Sequence, residues 1–92
     1  MISRRLRITG HVQNVFYRNW FVEQAQALRL DGWVRNRADG SVEALVRGSP
    51  VMIDAMIATA REGSPASRVE QVFVSDDAPA EVPNGFARLP TL

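Results

Sequence analysis

Trp33-Val34-Arg35-Asn36-Arg37-Ala38-Asp39-Gly40-Ser41-Val42-Glu43-Ala44-Leu45-Val46-Arg47 decides how this chain folds. Residues 33–37 and 41–47 read as strands. Ala38-Asp39-Gly40 between them reads as a turn, because Asp39 and Gly40 tolerate the left-handed backbone a hairpin needs. So short a join holds no crossover helix, so the two strands pair antiparallel and a doubly wound parallel sheet is excluded.

Upstream, Leu6-Arg7-Ile8-Thr9 alternates apolar and polar residues after a basic lead-in, as a strand does with Leu6 and Ile8 turned inward. Gly10-His11-Val12-Gln13-Asn14-Val15 follows as a loop. From Tyr17 the period changes: Tyr17, Phe21, Ala25 and Leu28 recur at helical spacing, with Trp20 widening the apolar stripe. Gly32 then opens the hairpin. Downstream, Gly48 ends the second hairpin strand, and Ser49-Pro50 opens a helix as cap and first helical position. Met52, Ala55, Met56, Thr59 and Ala60 share one face of that helix, and Gly63 with Pro65 stops it. Val69-Glu70-Gln71-Val72-Phe73-Val74 reads as a further strand, residues 76–84 as a polar connection containing Pro79 and Pro83, and Gly85-Phe86-Ala87-Arg88-Leu89 as a short edge strand. The order βαββαβ with a short final strand specifies an α+β, ferredoxin-like split-βαβ sandwich: an antiparallel sheet with two helices on one face.

Ninety-two residues suit a single domain spanning 1–92. Hydrophobic residues at 46% and charged residues at 23% are those of a globular chain, not a disordered one. The absence of cysteine removes disulfides, thiol nucleophiles and cysteine metal clusters, and the lone His11 removes a two-histidine zinc site. Net charge is +1, so no global field draws the chain to nucleic acid or an anionic membrane. Every basic residue is arginine, which excludes Schiff-base chemistry and supplies fork-shaped cations for phosphate or carboxylate. No apolar run approaches the ~18 residues that span a bilayer, and Met1-Ile2-Ser3-Arg4-Arg5 leads into a strand without a signal-type apolar stretch. A cytoplasmic location is expected.

The first loop and the start of the first helix carry the chemistry. A helix N-terminus presents unpaired N–H groups and partial positive charge, so an arginine there is electrostatically misplaced. Arg18 falls in that first turn. An oxyanion would reverse the sign, since amides, dipole and guanidinium would then converge on one charge. Gly10 and Asn14 both suit the left-handed conformations of an anion-binding backbone nest. On position alone Arg18 is either an anion ligand or one arginine on a solvated helix face. Asn36 is likewise either a site residue or a polar residue near a hairpin end. Strand alternation sets Asn36 with Val34 and opposite Arg35 and Arg37, which read as solvated or rim charges. Asp39 and Glu43 are accounted for by a turn and an exposed strand. His11 reads as a surface loop histidine, and Tyr17, Phe21 and the methionines of the second helix as core.

Gly10-His11-Val12-Gln13-Asn14-Val15-Phe16-Tyr17-Arg18, with Gly32-Trp33-Val34-Arg35-Asn36 and Asp39-Gly40-Ser41-Val42-Glu43, resembles the acylphosphatase family, whose patterns are G-x-V-Q-G-V-x-[FY]-R, G-W-V-x-N and D-G-x-V-E. The likeness runs from about Arg4 to Phe86. It implies hydrolysis of the carboxyl-phosphate bond of acyl phosphates to carboxylate and inorganic phosphate. It also implies that Arg18 and the amides of His11, Val12, Gln13, Asn14, Val15, Phe16 and Tyr17 bind the phosphoryl group. Asn36 matches the asparagine that positions the attacking water, and neither metal, other cofactor nor covalent phosphoenzyme is expected. Two departures stand out: Asn14 occupies the usual loop glycine, and Arg29 stands where many members place a glycine after the helix.

Two other classes compete with a small monomeric enzyme acting on a small-molecule acyl phosphate without nucleic-acid or membrane partners. An RNA-recognition domain shares the element order but needs aromatics on a central strand, and residues 41–47 contain none. A catalytically silent anion-binding or interaction domain of the same fold is the remaining alternative.

Overall fold

The computed structural model describes residues 1–76, 79 and 81–92. The elements run β1 (Ile2–His11), α1 (Tyr17–Ala27), β2 (Asp31–Asn36), β3 (Val42–Gly48), α2 (Pro50–Glu62), β4 (Arg68–Ser75) and β5 (Phe86–Arg88). The split-βαβ order is therefore as expected. Of the connection anticipated over 76–84, residues 77, 78 and 80 lie outside the described residues.

The sheet order is β4-β1-β3-β2-β5. The hairpin closes with Asn36 across from Val42 and Trp33 across from Leu45. One correction concerns the sheet, expected to be antiparallel: β5 pairs parallel to β2, with Val34 opposite Arg88, so the sheet is mixed. The reason is geometric. β4 runs against β1 and hence against β2, so a connection crossing one end of the sheet delivers β5 alongside β2 in the same direction. As a result β1, β2 and β5 all finish at one end of the sheet.

β1 is longer than its alternating segment suggested. It reaches His11 because a bulge between Thr9 and Gly10 lets it keep pairing with β4 as far as Arg68. Gly10 is required there: its φ is +114°, and a Cβ would sit 2.2 Å from the Arg68 carbonyl oxygen.

Both helices cover the sheet face that carries Leu6, Ile8, Val34, Val42, Ala44 and Val46, all buried in one cluster. From α1 the cluster takes Tyr17, Phe21 and Ala25, and from α2 it takes Ile53, Met56 and Ala60. The second stripe differs from the expected one, since Met52 is exposed. The Ser49 hydroxyl accepts from the Met52 N–H, which sets the helix start and rotates Ile53 inward instead. The Tyr17 hydroxyl donates to the Ala60 carbonyl at 2.9 Å, so the first turn of α1 is fastened to α2. Burial pushes the Tyr17 phenol pKa above its ordinary value, so the group stays a neutral donor.

On the open face, Glu43 is not an exposed strand residue. It is buried beneath Arg5 (2.6 Å), Arg35 (2.9 Å) and Arg37 (3.1 Å). Arg35 and Arg37 are therefore on the face away from Asn36, as expected, but as ion-pair partners of Glu43, Arg35 half-buried and Arg37 still partly solvated. Burial alone would raise the Glu43 pKa, but hydrogen bonds from Arg35 and Arg5, the Arg35 charge and the bond from Arg37 bring it below its ordinary value. Trp33 lies on this face under the Arg35 guanidinium, 4.5 Å from its ring centre. Asp39 accepts from the Ser41 N–H and hydroxyl, as the turn reading required. No helix among the described residues is long and apolar enough to cross a membrane.

Candidate active site

The end of the sheet where β1, β2 and β5 finish holds a cleft of about 320 Å³, at the small end of the roughly 300–1,000 Å³ usual for ligand sites. Val12, Asn14, Phe16, Tyr17, Arg18 and Asn36 line it. Loop, first helical turn and hairpin end, far apart in sequence, are thus brought together.

The loop is built on alternating backbone hands. Asn14 has φ +60° and Phe16 has φ +58°, while Val15 between them is not left-handed. Such alternation turns successive N–H groups toward one concave side. Asparagine is among the side chains that accept this conformation, which explains how Asn14 replaces the glycine. Phe16 is the helix N-cap without any side-chain bond to the helix, and its ring is 81% exposed at the cleft. No acidic residue occupies the first turn. Among the described residues, the backbone N–H groups of residues 13–19 have no acceptor. A run of unpaired donors beside a helix N-terminus favours an oxyanion.

Arg18 is partly buried at this point and donates from Nη1 to the Leu89 carbonyl at 3.4 Å. Burial first, and then the charge of Arg88, lower its pKa from the ordinary value. Asn36 ends β2 on the helix side of the sheet and is buried to 6% exposure. Its side-chain Oδ1 is enclosed and has no hydrogen-bond partner among the described residues. An unpaired buried acceptor costs free energy on the order of 1–3 kcal/mol, and the residue that retains it lines the cleft.

Three candidate residues do not line the cleft. His11 is exposed at the end of β1, paired with Arg68, rather than in a loop. Val15 packs against the core. The Gln13 side chain turns away and donates to the carbonyls of Arg37 and Ser41, both at 2.8 Å. Any part these three play in binding is through their backbone or through fixing the loop.

Two lining residues were missed by sequence reasoning, Asn19 and Arg88. Asn19 was recognisable as the exposed neighbour of Arg18. Arg88 gave no signal, because nothing local says that β5 runs parallel to β2. The segment after β5 was missed too. Leu89 N–H donates to Val34, Leu92 N–H donates to the Asn36 carbonyl and Ala38 N–H donates to Leu92, so residues 89–92 continue alongside β2 past the site.

Fold and cleft define a ferredoxin-like α/β sandwich with an oxyanion-accepting end. A family model described as Acylphosphatase matches residues 4–88, and the chain belongs to the acylphosphatase family. It is similar to the acylphosphatase of Rhizorhabdus wittichii, 54% identical over 99% of this chain and 91% of that protein. The Rhodospirillum rubrum acylphosphatase is 48% identical over 95% of this chain and 94% of its own length. Among solved structures, that of acylphosphatase from Bacillus subtilis superposes with a TM-score of 0.91 at 31% identity, covering 97% of this chain and 99% of that one.

Proposed function

We propose that this protein hydrolyses the carboxyl-phosphate bond of acyl phosphates, releasing carboxylate and inorganic phosphate. The observation that carries the proposal is one cleft at which a guanidinium, a run of unpaired amides and the Asn36 carboxamide meet. Arg18 and the N–H groups of the loop and first helical turn hold the phosphoryl oxygens and offset the charge that shifts onto them in the transition state. The Asn36 carboxamide, which lines the cleft, hydrogen-bonds water and so fixes it for attack on phosphorus. The new P–O bond forms as the bond from phosphorus to the acyl oxygen breaks, and the carboxylate leaves with that electron pair. The water's proton passes to a phosphoryl oxygen.

The leaving group is good, so no strong protein base is needed. In keeping with this, His11 stands exposed outside the cleft. In this account residues 1–92 act as one domain, a cytoplasmic monomer with a small-molecule substrate and no nucleic-acid or membrane partner. Nothing favours the catalytically silent alternative.

The test is phosphate release from benzoyl phosphate with excess chelator present. Turnover well above the spontaneous rate is expected, with a pH profile lacking a protein group near pH 6–7. Turnover at the spontaneous rate would refute the activity, and loss of one pH limb in His11→Gln would refute the base-free step.

A further inference from the structure

Arg88 is a second guanidinium at the same cleft. Its register opposite Val34 on the parallel strand puts it on the helix side of the sheet, the side of Asn36. From there its Nη1 donates to Asn19 Oδ1 at 2.9 Å, a neutral acceptor on the residue next to Arg18. Four arginines of the open face are answered by acids, Arg5, Arg35 and Arg37 by Glu43 and Arg7 by Asp39 at 3.9 Å, whereas Arg88 stands at the cleft. Among the described residues no carboxylate pairs with Arg88. The two cleft cations also sense one another, since the charge of Arg88 disfavours the protonated form of Arg18. With Arg18 and the loop amides engaged by a phosphoryl group, the Arg88 guanidinium, bonded to the neutral Asn19 carboxamide, is the second cation lining the cleft.

We propose that Arg88 is a specificity-determining residue that receives a second oxyanion carried on the acyl group. The substrates favoured would then be acyl phosphates whose acid bears a further anionic group. This inference rests on the acylphosphatase reading above. A fork-shaped guanidinium suits such an oxyanion better than a neutral donor would.

The experiment measures inhibition of benzoyl phosphate hydrolysis by 4-phosphonobutyrate and by butylphosphonate, stable probes that differ in a distal carboxylate. The carboxylated probe is expected to bind about fivefold more tightly to the native protein, the size of an exposed to half-buried ion pair. Arg88→Gln should bring the ratio to about one, Arg88→Lys should retain part of it, and Arg88→Glu should invert it. Equal inhibition of the native protein by the two probes, or a ratio untouched in Arg88→Gln and Arg88→Glu, overturns the role of Arg88 while leaving the hydrolase reading intact. Absence of benzoyl phosphate hydrolysis by the native protein would overturn both.

Discussion

The side-chain amide of Gln13 donates to the backbone carbonyl of Arg37 at 2.8 Å, and the same nitrogen reaches the Ser41 carbonyl at 2.8 Å. One side chain thus ties the loop that precedes α1 to the hairpin whose first strand ends in Asn36. Loop amides and carboxamide are held at a fixed spacing by this link, across 24 residues of sequence.

Gln13→Ala removes both bonds, while the carbonyls of Arg37 and Ser41 keep only the backbone bonds they accept from Gly40 and Arg37. Stability should fall by about 1–2 kcal/mol in urea denaturation. If Gln13 positions the loop, kcat should fall at least as much as KM rises. Native kinetics in the variant would show that the link matters for folding only.

Arg29 follows α1 with φ +56°, and the N–H groups of Arg29 and Leu30 donate to the carbonyls of Gln26 and Ala25. This is a Schellman cap with a side chain at the position that favours glycine. Arg29→Gly should therefore stabilise the protein by about 1 kcal/mol, a rise in Tm of roughly 4–8 °C for a domain of this size. Activity should not change, because the residue lies at the far end of α1 from the cleft. A lower Tm would contradict the cap assignment.

Glu43 gives the protein a pH dependence of defined sign. Its pKa is lower folded than unfolded, so protons bind more readily to the unfolded chain. The stabilisation is present above its ordinary value of about 4.3 and is lost as pH falls through the folded value. Denaturation midpoints should decline on acidification below about pH 4.5, and Glu43→Gln should flatten that decline. At neutral pH the same variant should cost about 2 kcal/mol, since three guanidiniums lose their shared carboxylate. An acid limb unchanged in Glu43→Gln would assign the pH dependence elsewhere.

Local chemistry made much of this legible. The hairpin turn, the Ser49 cap, the Gly63 stop and Arg18 in the first turn each follow from a few adjacent residues. Asn14 was readable as left-handed because few other side chains accept that backbone. What was hidden depends on pairing between distant segments. The burial of Glu43 needs Arg5 on one neighbouring strand and Arg35 and Arg37 along the other. The extension of β1 needs β4 across the Gly10 bulge. Arg88 reaches the cleft only because β5 joins the far edge of the sheet parallel to β2. Phe16 as a left-handed, exposed N-cap had no sequence cue, since an aromatic there is disfavoured locally.

The division of labour at the cleft is tested most directly by kinetics on Asn36→Ala beside Arg18→Ala, with benzoyl phosphate as substrate and inorganic phosphate as inhibitor. Asn36→Ala should lose about 10²–10³ in kcat while inhibition by phosphate stays within about twofold, and Arg18→Ala should lose both turnover and phosphate inhibition. Near-native turnover in either variant would contradict the account.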